Sequence, residues 1–192
     1  MATFPINQRY GIGFVLPKNR VVRRSDELGK RQSALSLTSW VAAPPDIVKR
    51  MLHVAQVGPE DVIYDLGCGD ARILITAVEE FGAKKAIGYE LREDLFQASL
   101  QEIERRNLQD KVVLFKDNFL EADLLEASVI TLYLSNEVNE LLRPKLEKEL
   151  RRGTRIVSLT FKIDTWHISD LIYGWRPPCY PIYLYIISEA LE

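Results

Sequence analysis

Three short segments hold residue types suited to a charged nucleoside. The first is Asp65-Leu66-Gly67-Cys68-Gly69-Asp70-Ala71-Arg72. Gly67 and Gly69 allow a tight turn and a close backbone approach. The turn leads into a helix start, whose free N–H groups favour an anionic ligand group. The second is Glu90, 21 residues after Gly69. A carboxylate there can accept hydrogen bonds from both hydroxyls of a ribose. The third is Lys116-Asp117-Asn118-Phe119, where a polar side chain suits the edge of an adenine and an aromatic ring suits its face. Each segment alone also has an ordinary reading: a plain glycine turn, a solvated strand-end acid, an Asx turn. Two rival patterns fail. The dinucleotide fingerprint G-x-G-x-x-G/A is broken because Arg72 stands where the third small residue belongs, and no Gly-Lys-Ser/Thr follows for a Walker loop.

These segments need a scaffold that brings them to one edge, and the hydrophobic pattern predicts one. Pro44-Pro45-Asp46 marks a helix start, with Ile47, Val48, Met51, Leu52 and Ala55 as its apolar stripe ending before Gly58. Strands are predicted at Val62–Leu66, Ala86–Glu90, Val112–Phe115, Val129–Leu134 and Arg155–Phe161, and helices at Ala71–Phe81, Asp94–Arg106 and Glu137–Leu150. Pro144 is expected to kink or break the last of these. Two more strands fall near Leu171–Trp175 and Ile182–Ile187, joined through Pro177-Pro178. Alternating strands and helices imply βαβ units. The fold class is therefore α/β: a Rossmann-like, doubly wound, mostly parallel seven-stranded sheet with an antiparallel last strand. In such sheets ligands bind beyond the carboxyl ends of the strands, where the three segments lie.

The 192 residues carry 25 Lys+Arg and 27 Asp+Glu, and 47% are apolar. That composition excludes a mainly disordered, collagenous or coiled-coil chain. The charge is uneven. Residues 1–40 hold seven basic side chains (Arg9, Lys18, Arg20, Arg23, Arg24, Lys30, Arg31) and two acids (Asp26, Glu27), a net +5, whereas residues 41–192 hold 18 basic and 25 acidic, a net −7. The expected division is a basic arm over 1–40 and a globular domain over 41–192. No apolar run is long enough to span a bilayer, and Gly11–Leu16 is too short for a signal-peptide core. The arm reads as a surface extension rather than a transit peptide, because its apolar residues form no helical stripe. Two cysteines, Cys68 and Cys179, make no disulfide framework. Two histidines, His53 and His167, share no ligand spacing. The expectation is a cytoplasmic protein without a metal.

Taken together, the three segments resemble the class I (seven-β-strand) S-adenosylmethionine-dependent methyltransferases. Asp65–Arg72 is similar to their first motif, Glu90 to their ribose-binding acid, and Asn118 with Phe119 to their adenine-binding step. A narrower resemblance, to the small archaeal broad-specificity protein lysine methyltransferases, rests on Leu66–Ile73, Thr131–Leu146, Gly153–Ser158 and Ile182–Tyr185. Their mitochondrial relatives methylate lysines of the ATP synthase c-subunit and the adenine nucleotide translocase. The resemblance spans Pro44 to Glu192, and Glu137–Leu146 is its most distinctive piece. It implies S-adenosyl-L-methionine as cofactor, held by Asp65, Gly67, Cys68, Gly69 and Asp70, by Glu90 and Leu91, and by Asn118, Phe119 and Tyr133. The sequence departs from the pattern in five places. Ala43 replaces a hydroxyl residue, Ala71 a glycine and Asn118 an aspartate. Ser135-Asn136 replaces an apolar-Pro pair, and Leu159-Thr160 stands where relatives carry polar or charged residues.

The implied reaction is methyl transfer to a lysine amine of a protein with accessible lysines. A free amine of pKa about 10.4 is neutral in only about 1 molecule in 2,500 at pH 7, a cost of roughly 4.6 kcal/mol. A desolvating channel offsets part of it. Trp40, Tyr133, Ser135 and Asn136 are the candidates to form that channel, although Tyr133 also reads as core and Trp40 as an anchor for the arm. No dedicated general base stands out. The Asn/Asp-Pro-Pro-Tyr/Phe tetrad of enzymes that methylate exocyclic base amines is absent, and Tyr133-Leu134-Ser135-Asn136 occupies its place. The alternatives are a methyltransferase acting on RNA or a small molecule, and a non-catalytic S-adenosylmethionine-binding module. The basic arm suits a lid over the cofactor, RNA backbone contact, or an acidic protein partner.

Overall fold

A computed structural model describes residues 40–172 and 180–188. The basic arm before Trp40, the Pro177-Pro178 connection and Cys179 lie outside the described residues. The elements are α1 (Pro45–Val54), β1 (Val62–Leu66), α2 (Arg72–Glu79), β2 (Lys85–Tyr89), α3 (Glu93–Arg105), β3 (Val112–Phe115), a 3-10 turn (Phe119–Glu121), β4 (Val129–Leu132), α4 (Asn136–Glu149), β5 (Arg155–Leu159), β6 (Asp170–Ile172) and β7 (Ile182–Ile186).

The seven strands form one sheet in the order β3-β2-β1-β4-β5-β7-β6. Strands β1 to β5 are parallel, whereas β7 inserts antiparallel between β5 and β6. The strand order reverses between β1 and β4, which opens a crevice at their carboxyl ends. Successive strand residues face opposite sides, so each face has its own core. Ile63, Ala86, Val129 and Val157 pack with Met51, Leu52 and Leu74 of α1 and α2. Tyr64, Leu66, Ile87, Ile130 and Ile156 pack with Leu142 and Leu146 of α4. Near-continuous burial along the central strands reflects helices on both faces. Among the described residues no helix is long and apolar enough to cross a membrane.

Differences from the sequence expectation that bear on the crevice sit at strand ends. Strand β2 stops at Tyr89, one residue before Glu90, and β4 stops at Leu132, two before Leu134. Strand β5 stops at Leu159, because Thr160 takes φ +67° and leaves the extended region. Of the released residues, Glu90, Tyr133, Leu134 and Phe161 line the crevice rather than the ladder. The expected break at Pro144 is not found: α4 runs through it to Glu149. Pro144 is exposed, so the Glu140 carbonyl that loses its partner can turn to water. Around it, Arg143 bridges Glu140 and Glu147, and Lys145 pairs with Glu149.

The opposite end of the sheet is held by a polar clamp. Asp61 accepts from the Gly58 N–H at 2.9 Å and the Ser128 hydroxyl at 2.7 Å, and it pairs with Arg155. The same guanidinium donates to the carbonyls of Ala55 at 2.6 Å and Gln56 at 2.9 Å, where α1 ends. Both side chains are largely withdrawn from water. Arg155→Met should therefore destabilise the fold by about 2 kcal/mol, the scale of a lost hydrogen bond to a charged group. Urea unfolding monitored by tryptophan fluorescence checks this, and a midpoint equal to that of wild type would refute it.

Candidate functional site

A cavity of about 330 Å³ lies at the carboxyl edge of β1, β2 and β4. Its wall includes Asp65, Gly67, Cys68, Asp70, Glu90, Leu91, Phe119, Tyr133, Ser135 and Trp40. Gly69, Asn118 and Asn136 are not part of that wall. Gly69 adjoins it through its backbone, Asn118 is buried, and Asn136 is exposed in the first turn of α4.

The loop after β1 is shaped by three left-handed residues: Gly67 (φ +91°), Gly69 (φ +56°) and Ala71 (φ +62°). The N–H groups of Gly67 and Cys68 both donate to the Tyr89 carbonyl at 3.0 Å, which ties the loop to β2. Gly69 is required twice over. A side chain there would be strained, and its Cβ would sit 2.1 Å from the indole nitrogen of Trp40. The loop is also fixed from outside, because the Ser99 hydroxyl of α3 donates to the Gly69 carbonyl at 2.7 Å.

Glu90 is buried just beyond β2. Its Oε2 accepts from the Gly69 N–H at 3.0 Å and its Oε1 from the Arg92 N–H at 2.8 Å. Each carboxylate oxygen has a second acceptor direction, so the group can hold two ligand hydroxyls while it holds the loop. Asp65 is arranged differently. Its Oδ1 accepts from the Thr131 hydroxyl at 2.8 Å, but its Oδ2 is buried and has no partner. Burial pushes this carboxyl up to about 7; the Thr131 hydrogen bond opposes the shift, and the nearby charges of Glu90 and Asp70 add to it. An orphaned buried acceptor in a cavity wall is suited to a cationic or hydrogen-bond-donating ligand group.

Part of the cavity wall is aromatic. Tyr89 stacks on Phe115 with centroids 5.0 Å apart, and Tyr89 and Phe119 line the cavity. The Asn118 Oδ1 accepts from the Leu120 N–H at 3.0 Å and caps the 3-10 turn. That use fixes Phe119 and leaves the amide hydrogens of Asn118 as the donors it can offer. The Cys68 thiol is buried, which pushes its pKa well above the usual thiol range and makes it a poor nucleophile.

Several lining groups escaped the sequence reading. Arg72, noted there only as a departure from a pattern, pairs with Asp70 and donates to the Ala43 carbonyl at 2.8 Å. Its guanidinium lies 5.9 Å from the Trp40 ring centroid, a cation–π contact that holds the indole over the glycine turn. Phe161 stacks on Tyr133 with centroids 6.4 Å apart, and both line the cavity. Its signal in the sequence was an aromatic at a strand end, disguised because the strand was read as continuing through it. Burial raises the Tyr133 phenol above its ordinary pKa, and the nearby Tyr180 adds to that, so the phenol stays neutral. Ser135 accepts from the Val138 N–H at 3.3 Å and caps α4.

Known proteins match this chain in both sequence and fold. The family model described as the ANTKMT methyltransferase domain matches residues 65–170. A protein-lysine N-methyltransferase of Saccharolobus islandicus (strain REY15A) is 43% identical over 151 residues, covering 78% of this chain and 94% of that protein. The adenine nucleotide translocase lysine N-methyltransferase of Mus musculus is 30% identical over 127 residues, covering 66% of this chain and 55% of that protein. Among solved structures, an RNA methyltransferase from Salinibacter ruber in complex with S-adenosyl-L-homocysteine superposes with a TM-score of 0.74 at 36% identity, covering 79% of this chain and 97% of that one.

Proposed function

The chain belongs to the ANTKMT methyltransferase domain family, and from that premise we propose that it transfers the methyl group of S-adenosylmethionine to lysine side-chain amines of proteins. The observation that carries the reading is the juxtaposition of the glycine turn, the Glu90 carboxylate and the unpartnered Asp65 oxygen in one crevice. The two lysine N-methyltransferase relatives support the acceptor class.

The residues present fit the cofactor. Glu90 would accept from the ribose hydroxyls, Phe119 and Tyr89 would pack against the adenine, and Asp65 would hold the cationic end of the aminoacyl tail. When bound, the cofactor supplies an electrophilic sulfonium methyl. The protein's own task is orientation and exclusion of water. Among the described residues no histidine lines the cavity, and desolvation of the ammonium is the route to the neutral amine that its walls favour. The rings of Tyr133 and Phe161 provide apolar walls that disfavour the ammonium form.

A second reading, RNA as the acceptor, has the Salinibacter ruber neighbour in its favour. The two separate in one experiment. The protein is incubated with tritiated S-adenosylmethionine, a protein panel and total RNA. Protease-sensitive label, mapped to methyl-lysine by mass spectrometry, is the expected result. Label removed only by nuclease would replace this reading with the second.

A further inference from the structure

The chain reverses abruptly after β5. The Phe161 N–H donates to the Leu159 carbonyl at 2.8 Å, closing a three-residue turn with Thr160 at its centre. Thr160 has φ +67°. A γ-turn of this sign is rare and strained, and a β-branched residue at positive φ is an outlier. The surroundings over-determine it. The Thr160 N–H donates to the Pro181 carbonyl at 2.7 Å. The Phe161 carbonyl accepts from the Asn139 amide of α4 at 3.0 Å and from the Ser158 hydroxyl. Asn139 is fully buried and belongs to Glu137–Leu146, the stretch most distinctive in the sequence. Strain held this firmly points to a use.

The turn does two things. It brings Phe161 to the cavity against Tyr133. It also sets the Thr160 side chain within electrostatic reach of the Tyr133 phenol, with Oγ1 buried and making no hydrogen bond of ordinary geometry. A neutral phenol has one hydrogen to donate, and a buried hydroxyl oxygen without a partner is a ready acceptor for it. Hydrogen bonds of this kind often tighten only when substrate is bound.

We propose that Thr160 is a positioning residue for the acceptor: its hydroxyl takes the phenol hydrogen of Tyr133 and so aims the phenol oxygen at the N–H groups of the incoming amine. The inference rests on the lysine reading given above. Held by an N–H, the amine keeps its lone pair for the methyl carbon. The new N–C bond forms as the S–C bond breaks, with that electron pair going to sulfur. The product is a methylammonium, whose N–H···O contact is charge-assisted and stronger than that of the starting amine.

The test uses Thr160→Val, which keeps the β-branched shape and removes the hydroxyl, with Thr160→Ser as the variant that restores it. A lysine-rich synthetic peptide is the probe. Thr160→Val should lower kcat/KM for the peptide about tenfold and leave S-adenosylmethionine affinity by calorimetry unchanged. Thr160→Ser should recover most of the rate. In the double variant Thr160→Val/Tyr133→Phe the losses should not add, because both remove one contact. Lysine methylation by Thr160→Val at the wild-type rate, or additive losses, overturns this proposal alone. Absence of lysine methylation by the wild-type protein overturns both it and the reading on which it rests.

Discussion

Glu90→Ala should weaken S-adenosylmethionine binding by about 3 kcal/mol, roughly a hundredfold in Kd. The size comes from what the carboxylate holds before any ligand arrives. One oxygen fixes the Gly69 N–H and the other the Arg92 N–H. Removal takes away the ribose contacts and leaves the turn after β1 with an unsatisfied donor at its centre. Both losses should fall on the ligand, because Gly69 sits between Glu90 and the start of α2. Glu90→Gln separates the two parts. Its remaining carbonyl oxygen can hold one N–H, while the amide cannot accept from a second hydroxyl, so an intermediate loss is expected. Isothermal calorimetry measures both, with the thermal midpoint showing that the fold survives. Wild-type affinity in the alanine variant would remove Glu90 from the site.

Features set by local pattern were legible: the central strands, because burial on both faces writes continuous apolar runs, and the glycine turn with Glu90 after it, because strand spacing fixes their distance. Features that depend on the chain meeting itself were not. Thr160 and Phe161 were read as strand because nothing local marks a γ-turn; the turn exists because Asn139, Ser158 and Pro181 hold it. The Arg72–Trp40 contact joins the arm's last residue to α2 and leaves no periodic trace. Pro144 shows the converse error. A local rule predicted a break, but exposure of its face and the ion pairs around it allow the helix to continue. Asp65 was legible as a motif residue, yet its unpaired oxygen is a property of the packed sheet.

That oxygen makes stability and cofactor binding depend on pH in opposite directions. Asp65 is pushed up from 3.8 to about 7, by burial first and then by Glu90 and Asp70, against the Thr131 hydrogen bond. Between these two values the native protein holds a proton that the unfolded chain has released. Stability therefore falls as pH rises, because its slope is set by protons bound in the unfolded state minus those bound in the native state. The contribution is present below about pH 4 and lost by about pH 7; three units at about 1.36 kcal/mol each make roughly 4 kcal/mol. Asp65→Asn keeps an acceptor for Thr131 and cannot ionise. In urea titrations at several pH values it should lack this component and be the more stable protein at pH 8. Cofactor binding should move the other way. A cationic aminoacyl tail beside Asp65 favours the carboxylate, so binding below pH 7 must expel the proton, and Kd should tighten by up to about tenfold per unit as pH rises toward 7. Calorimetry in buffers of different ionisation enthalpy counts the proton directly. Asp65→Asn should bind more weakly, release none and show no such pH dependence. Proton release equal to that of wild type in the asparagine variant would assign the linkage to another group. The expected pairing, a more stable protein that binds its cofactor less well, arises because a buried charge is kept for the ligand rather than for the fold.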